Sequence, residues 1–305
     1  MRILLAGATG AIGQPLLRAL TSSGHEVVAL IRNRSRDHLV HSAGGTAVVA
    51  DVMRREQLLH AVDGLRVDAV VHQATALRGA PPRLRDDDPT NALRHTGTAN
   101  LLEVAHAVGA RRFVTQSMIL GYGYTDHGDR VLTEDDTFGK PCGSYADSVI
   151  EGLRAAEQQV CDADWIEGIA LRYGLFYGPG AFSDMFADMM RRRRPCVPSD
   201  GGGINCWIHV ADAAAATVAA LTHGSAGQVY NIVDDEPITW KRFASAVSAS
   251  HHTPRARAMP RWLLGLAAPY LACLMTDTSM RVANHKAHRD LAWKPVYGSV
   301  EKGLK

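Results

Sequence analysis

From the first residues to Gly180, short β-branched runs alternate with longer stretches of helical periodicity, and this alternation constrains the fold more than any single residue does. The strand candidates are Ile3–Ala6, Glu26–Ile31, Thr46–Ala50, Asp68–His72, Arg112–Gln116 and Ile166–Leu171. Between them the spacing predicts helices over Gln14–Ser22, Met53–Val62, Thr90–Val108 and Tyr145–Val160. Apolar strands separated by helices belong in a parallel sheet covered on both faces, because each parallel crossover carries its helix over the sheet. Pro15 fits a first helical turn, where its missing N–H costs nothing, and Gly24 and Gly109 stand where helices stop. The fold expected is α/β, a doubly wound parallel sheet.

After Gly180 the rhythm changes to a helix over Ser183–Arg192, a loop through Gly201-Gly202-Gly203, a return segment Cys206–Ala211, an Ala-rich helix to Leu221 and a strand Gln228–Ile232. The remainder, Thr239–Lys305, reads as mostly helical, broken by Pro254, Pro260, Pro269 and Pro295. We therefore expect a first domain over residues 1–177, with 206–233 returning to it. A smaller, mainly helical C-terminal lobe over 178–205 and 234–305 is expected to lie at the C-terminal edge of the sheet, where open α/β sheets bind ligands.

Composition narrows the partners. With 33 Lys and Arg against 31 Asp and Glu the formal net charge is +2, which implies no general attraction to nucleic acid or anionic lipid. The run Arg191-Arg192-Arg193-Arg194 reads as the solvated end of a helix. Cys142, Cys161, Cys196, Cys206 and Cys273 show neither a C-x-x-C pair nor a paired histidine spacing, so no metal site and no disulfide framework is expected. A first strand beginning at Arg2, with no leader pattern ahead of it, gives the expectation of a cytoplasmic chain. The most apolar stretch, Trp262–Met275, is shorter than the ~20 residues of a spanning helix and contains Pro269, so it reads as a buried or site-lining helix.

Gly7-x-x-Gly10-x-x-Gly13 directly follows an apolar strand and opens a helix. In that context glycines let the backbone approach a pyrophosphate while the helix N-terminus stabilises its charge. Thr9, Ala11 and Ile12 complete the turn. An acidic residue that grips a ribose 2′-hydroxyl is expected ~20 residues after such a turn. Here that place holds Ile31-Arg32-Asn33-Arg34. Guanidinium groups without a carboxylate suit a 2′-phosphate, so Arg32 and Arg34 predict NADP (NADPH) over NAD. Asp51 and Val52, after the third strand, are placed to border the adenine.

These residues carry a resemblance. The chain resembles the extended branch of the short-chain dehydrogenase/reductase superfamily, the NAD-dependent epimerase/dehydratase type with a Rossmann domain, almost end to end. The likeness runs through Gly7–Gly13, Asp51-Val52, Gly97-Thr98-Ala99-Asn100-Leu101-Leu102 and Arg112-Phe113-Val114-Thr115-Gln116-Ser117. It continues in Leu171–Gly180, Ile208-His209-Val210-Ala211-Asp212, Tyr230-Asn231-Ile232 and Leu291-Ala292-Trp293-Lys294-Pro295. It implies that Gln73, Ala74, Thr75 and Tyr173 also border the cofactor. In that family a Ser or Thr after the fifth strand bonds the substrate carbonyl, a Tyr moves its proton, and a Lys four residues on holds the nicotinamide ribose and lowers the Tyr pKa. Ser117 and Tyr145 match by position as the catalytic pair.

Two departures stand out: Val149 occupies the lysine position, and Arg94 the place three before Gly97 where an asparagine is usual. An unperturbed tyrosine titrates near ~10, so at neutral pH only about one in a thousand is a phenolate able to take a proton from an alcohol. Alcohol oxidation, with which epimerases and dehydratases of the family begin, suffers most. Ketone reduction needs the protonated tyrosine, the form present anyway.

Where relatives acting on nucleotide sugars hold the diphosphate with an arginine, the aligned position is Asn205. Met118, Leu120, Tyr122, Phe182, Met185 and Phe186 are the expected substrate contacts, and they suit a flat, apolar molecule. The phrases Val71–Leu77, Val114–Ser117 and Arg172–Gly178 are similar to an atypical actinobacterial subgroup that contains a simocyclinone-pathway angucyclinone ketoreductase. That likeness implies NADPH-dependent reduction of a carbonyl on an aromatic or polycyclic polyketide in antibiotic biosynthesis. A substrate hydroxyl would then assist protonation. A nucleotide-sugar epimerase or dehydratase and a non-catalytic NADP-binding regulatory protein stay open beside it. The family likeness further implies a homodimer paired through helices such as Thr90–Val108 and Tyr145–Val160.

Overall fold

The computed structural model describes residues 1–76, 88–141 and 146–305. Seven strands form one sheet: β1 (Arg2–Ala6), β2 (Glu26–Ile31), β3 (Thr46–Val49), β4 (Ala69–His72), β5 (Arg112–Met118), β6 (Glu167–Tyr173) and β7 (Gln228–Ile232). Their order is β7-β6-β5-β4-β1-β2-β3, and every neighbouring pair is parallel. Strand order reverses at β1 and β4. The loops leaving these two strands diverge and open a crevice, the place where such sheets take ligands.

The sheet is covered on both faces because its strands bury alternate residues on opposite sides. Ile3 and Leu5 of β1 pack with Leu16, Leu17 and Leu20 of helix α1 (Gly13–Ser22) and with the Ala-rich helix Val210–His223. Leu4 turns the other way, to Leu58, Leu101, Val104 and Ala105 on helices Arg55–Ala61 and Thr98–Ala107. A third apolar cluster joins the end of β5 to the elements after Gly180. There Trp207 and Phe243 stack with ring centroids 3.7 Å apart, and Phe186 stacks on Trp240 at 5.8 Å. Aromatic contacts of this kind add about 0.5–1.5 kcal/mol each beyond burial, and they seat helices Phe182–Arg191 and Trp240–Ser250 over the sheet's C-terminal edge.

Two expectations are corrected, for the helix at Thr90 and the apolar stretch at Trp262, and the C-terminal one is filled in. The stretch predicted as one helix over Thr90–Val108 is interrupted: Pro89–Ala92 is capped by the Asp88 carboxylate, Leu93–Gly97 is a π-helical turn, and Thr98–Ala107 resumes the α-helix. The C-terminal part is mainly helical as expected, and short extended segments join it to the rest: Asp126–Leu132 pairs with Ser279–Val282, Pro195–Pro198 with Arg257–Met259, and Ile204–Asn205 with Ile238–Thr239. Frequent prolines cut its helices short, and paired extended segments satisfy the backbone instead. The apolar stretch at Trp262 is not a buried helix. It forms Arg261–Ala267 and, after the break at Pro269, Pro269–Ala272, with Trp262 and Leu266 each 68% exposed. Among the described residues no helix is long and apolar enough to cross a membrane.

Candidate active site

The glycine turn between β1 and α1 is required by backbone packing. Gly7 has φ +93°, and a Cβ there would lie 2.5 Å from the carbonyl carbon of Gln73 at the end of β4. A Cβ on Gly13 would run into the carbonyl oxygen of Gly7. Gly10 differs. Its added Cβ meets only Gly7 O, at 3.4 Å, and the residue is exposed, so internal packing presses far less on it. Its bareness keeps room in front of α1, whose positive dipole end suits an anion although Gln14 N is already bonded to Gly10 O (3.1 Å) and Leu16 N to Ile12 O (3.0 Å). In the same turn Ala11 is exposed, and Thr9 and Ile12 are half-buried. The cradle thus fits a dinucleotide pyrophosphate.

At the end of β2, Asn33 accepts a hydrogen bond from Ser35 N (2.9 Å) and caps a short 3-10 turn, Arg34–Arg36. Arg32 and Arg34 are exposed there. Arg36, which sequence reasoning missed, donates from Nη1 to the carbonyl of Thr9 (3.4 Å) and so spans from the β2 turn to the glycine turn. Its signal was the third arginine at a two-residue interval. Asp51 accepts from Met53 N (3.0 Å), and Asn100 donates to the carbonyl of Val52 (2.8 Å), which fixes the corner where an adenine would lie. Ala74 and Thr75 follow β4 across the crevice and are half-buried.

Two expected cofactor side chains are used internally. Tyr173 is fully buried, with its hydroxyl bonded to Gln73 Nε2 (2.9 Å) and Thr217 Oγ1 (2.7 Å), and burial pushes its pKa up to about 12. Gln73 is held by its Nε2, while its buried Oε1 has no partner among the described residues.

At the end of β5 the serine expected to be catalytic is engaged inside the protein. Ser117 is fully buried and donates its hydroxyl to Glu157 Oε1 at 2.5 Å. Glu157 also accepts a bidentate pair from Arg172, Nε to Oε1 at 2.9 Å and Nη2 to Oε2 at 2.8 Å, with both side chains 6% exposed. Arg172 is sandwiched between the rings of Tyr122 and Phe138, 4.9 and 4.7 Å from their centroids. Strand alternation explains the outcome: Phe113 joins one core face and Val114 the other, so Ser117 falls on the face covered by helix Asp147–Cys161. Met118 points instead into the apolar cluster that leads to the C-terminal elements. Tyr145 lies outside the described residues. Val149 is 6% exposed in that same cluster, on the first turn of helix Asp147–Cys161.

The expected substrate contacts separate into two groups. Tyr122 is structural: its hydroxyl lies 2.8 Å from both Thr133 O and Asn231 Oδ1, and burial raises its pKa to about 12. Phe186, 1% exposed between Trp240 and Phe243, is core. Leu120 is buried, whereas Phe182 and Met185 are partly exposed on helix Phe182–Arg191, and Met118 keeps a small exposed edge.

Sequence reasoning also missed a buried polar group on the other side of helix Asp147–Cys161. Arg94, in the π-helical turn, is 2% exposed and donates from Nη1 to Asn91 Oδ1 (3.1 Å). Burial lowers its pKa. Nearby, the hydroxyls of Tyr124 and Tyr270 meet at 3.0 Å. Position 94 was visible as a departure from an asparagine, but nothing in the sequence brings Tyr270 to it.

Three comparisons bear on this arrangement. The NAD dependent epimerase/dehydratase family profile matches residues 3–233. The chain is 37% identical to the 3-diazoavenalumate denitrifying reductase of a Streptomyces species, over 100% of this chain and 99% of that protein. It is 30% identical to the 2-alkyl-3-oxoalkanoate reductase of Stenotrophomonas maltophilia, over 84% and 77% respectively. Among solved structures, UDP-glucose 4-epimerase from Bifidobacterium longum, in complex with NAD+ and UDP, superposes with a TM-score of 0.81 at 17% identity, covering 100% of this chain and 96% of that one.

Proposed function

The chain belongs to the NAD dependent epimerase/dehydratase family, and on that premise we propose that it is an NADPH-dependent ketoreductase acting on a carbonyl of an aromatic or polycyclic, polyketide-type substrate. That it is an oxidoreductase using a nicotinamide dinucleotide follows from the family and from relatives named as reductases. The bound cofactor supplies hydride. Around it, the Gly7–Gly13 turn holds the pyrophosphate, Arg32, Arg34 and Arg36 hold the 2′-phosphate, and Asp51 and Val52 border the adenine. Met118, Leu120, Phe182 and Met185 are the side chains assigned to the substrate.

One observation carries the reductive direction: Val149 stands in an apolar cluster where a cation would lower a tyrosine pKa, and the Ser117 hydroxyl is committed to Glu157. Taking a proton from an alcohol is disfavoured in such a site, as it must be done by the ~0.1% of an unperturbed tyrosine that is ionised at neutral pH. Giving a proton is not. Tyr145, or a hydroxyl on the substrate beside the carbonyl, is the proposed donor.

A second reading is favoured by the full-length likeness to a denitrifying reductase. Hydride added to the carbon of an aryl diazonium expels N2 and leaves Ar–H with charge balanced. No proton is needed, so the absence of a lysine at position 149 and of a free serine at 117 carries no penalty. Single-turnover oxidation of NADPH, followed by absorbance with product identification, tests both. Stoichiometric alcohol from an aromatic ketone supports the first reading, and stoichiometric N2 from an aryl diazonium the second. Turnover of a UDP- or TDP-sugar without net NADPH consumption would point to an epimerase, and tight cofactor binding without any turnover to a regulatory protein. We place the enzyme in the cytoplasm as a homodimer across helices Thr98–Ala107 and Asp147–Cys161, beside which Trp165 is 47% exposed; sedimentation gives the subunit count.

A further inference from the structure

Two buried hydrogen-bond donors lie side by side beyond Val149 with no partner among the described residues: Arg94 Nε and Asn91 Nδ2. An unsatisfied buried donor costs about 1–3 kcal/mol, and more when charged, so an acceptor brought to this pair would be stabilised. No carboxylate among the described residues comes within ion-pair distance of Arg94. Among the described residues, the acid whose charge acts on Arg94 is Asp88, and it spends Oδ1 on Thr90 N and Asn91 N as a helix cap. Gly152, one turn beyond Val149, makes the approach possible, since a Cβ there would sit 2.8 Å from Asn91 Oδ1 and 3.4 Å from Arg94 Cδ. The guanidinium stem therefore lies along the face of helix Asp147–Cys161 that carries Val149. Its π-helical turn is an irregularity often found at functional sites.

The Tyr124 and Tyr270 hydroxyls supply further donors. Burial raises the pKa of both and outweighs the opposing charge of Arg94, so both stay protonated at neutral pH. The pair shares one hydrogen bond, which leaves a second O–H to give. Tyr270 comes from Pro269–Ala272, so the group closes between the sheet and the C-terminal elements.

We propose that Arg94, Asn91 and the Tyr124–Tyr270 pair form an oxyanion-holding cluster that binds a negatively charged oxygen, carboxylate or phenolate, on the aromatic substrate. This rests on the reading of the substrate as aromatic. The missing helper charge at position 149 has in effect moved to a neighbouring helix and changed task, from lowering a tyrosine pKa to anchoring and orienting the ring. Arg94 is a specificity-determining residue in this account. No covalent step is assigned to it.

Calorimetric titration of the full chain, saturated with NADP+, tests the cluster without requiring turnover. The probes are 6-hydroxy-2-naphthoate and its neutral carboxamide, which separate the charged oxygen from the ring, with 2-naphthol above its pKa as the phenolate arm. Charge-assisted bonds to a buried guanidinium predict that wild type prefers the carboxylate by about tenfold or more. Arg94→Met and Asn91→Asp, the latter placing a carboxylate beside the guanidinium, are each expected to reduce that preference to about twofold or less while NADP+ binding persists. Arg94→Lys should retain part of it, and Tyr270→Phe should weaken carboxylate binding by about fivefold. Equal binding of the charged and neutral probes by wild type, or binding of neither, would overturn the proposal. So would a preference that survives both Arg94→Met and Asn91→Asp. Failure of every ketone and diazonium to oxidise NADPH would instead overturn the reductase reading and leave this titration standing.

Discussion

The two ends of the crevice are built from different materials. At β1 and β2 the site is made of backbone: glycines whose side chains would collide, a capped 3-10 turn, and exposed arginines laid over them. At β5 and β6 it is made of side chains, and most of the polar ones are already spent on each other: Ser117 and Arg172 on Glu157, Tyr173 on Gln73 and Thr217. A backbone site tolerates little substitution but needs few residue identities. A side-chain site can have its polar atoms bonded into the core while the fold stands.

The largest contrast should come from the glycines. Gly13→Val has nowhere to put its side chain and is expected to abolish soluble folded protein, a loss above ~4 kcal/mol. Gly10→Ala should leave the melting temperature within a few degrees and weaken dinucleotide binding. Equal stability loss in the two would erase the distinction between packing and ligand glycines. At the other end, Glu157→Ala leaves Arg172 charged and unpaired in the core and should cost about 3–5 kcal/mol in urea unfolding. A cost below about 1 kcal/mol would mean that this ion pair does not hold the β5–β6 end together.

Between the two ends sits His72, fully buried on β4, whose pKa burial lowers to about 4 against 6.5 when free, with a bond to Leu93 O opposing and Arg94 adding to the fall. Its folded pKa lies below its unfolded one, so the neutral ring contributes stability at pH above 6.5 that is lost as pH falls toward 4. The loss amounts to about 3 kcal/mol. Urea curves across that window should be steeper for wild type than for His72→Leu, and parallel curves would remove the effect.

Smaller effects sharpen the comparison further. Arg36→Ala should weaken NADPH binding by about tenfold or more and NADH binding little, as a charge-assisted bond to phosphate is lost. Similar losses for both cofactors would detach the arginines from the 2′-phosphate. Ser117→Ala should cost about 1.5 kcal/mol of stability and change turnover by less than the ~10²-fold floor of general acid–base catalysis. A collapse in turnover with stability intact would return Ser117 to the chemistry.

Much of the first end was legible in the sequence, because glycine spacing, strand runs and arginines at a strand end report directly on backbone geometry. The parallel sheet was legible for the same reason, with all seven strands marked by β-branched runs. The bond from Ser117 to Glu157 was not legible, because its place in the motif fixes its distance along β5 while period-2 alternation decides which face it meets. Phe186 and Tyr122 misled because apolar spacing cannot distinguish a residue lining a site from one filling the core behind it. Arg94 was noticed as a departure, but its unpartnered Nε, the unpartnered Asn91 Nδ2 beside it and its neighbour Tyr270, 176 positions away, exist only in three dimensions.

The central claim, that this family scaffold without its lysine delivers hydride in the reductive sense, is tested most directly by isotope transfer. NADPH carrying deuterium at the transferable position is incubated in ordinary water with the aromatic ketone and diazonium panel. The account predicts one equivalent of cofactor oxidised per product, with deuterium on the carbon that held the oxygen or the departing nitrogen. Unlabelled product, or a nucleotide sugar interconverted with the cofactor pool unchanged, would contradict it.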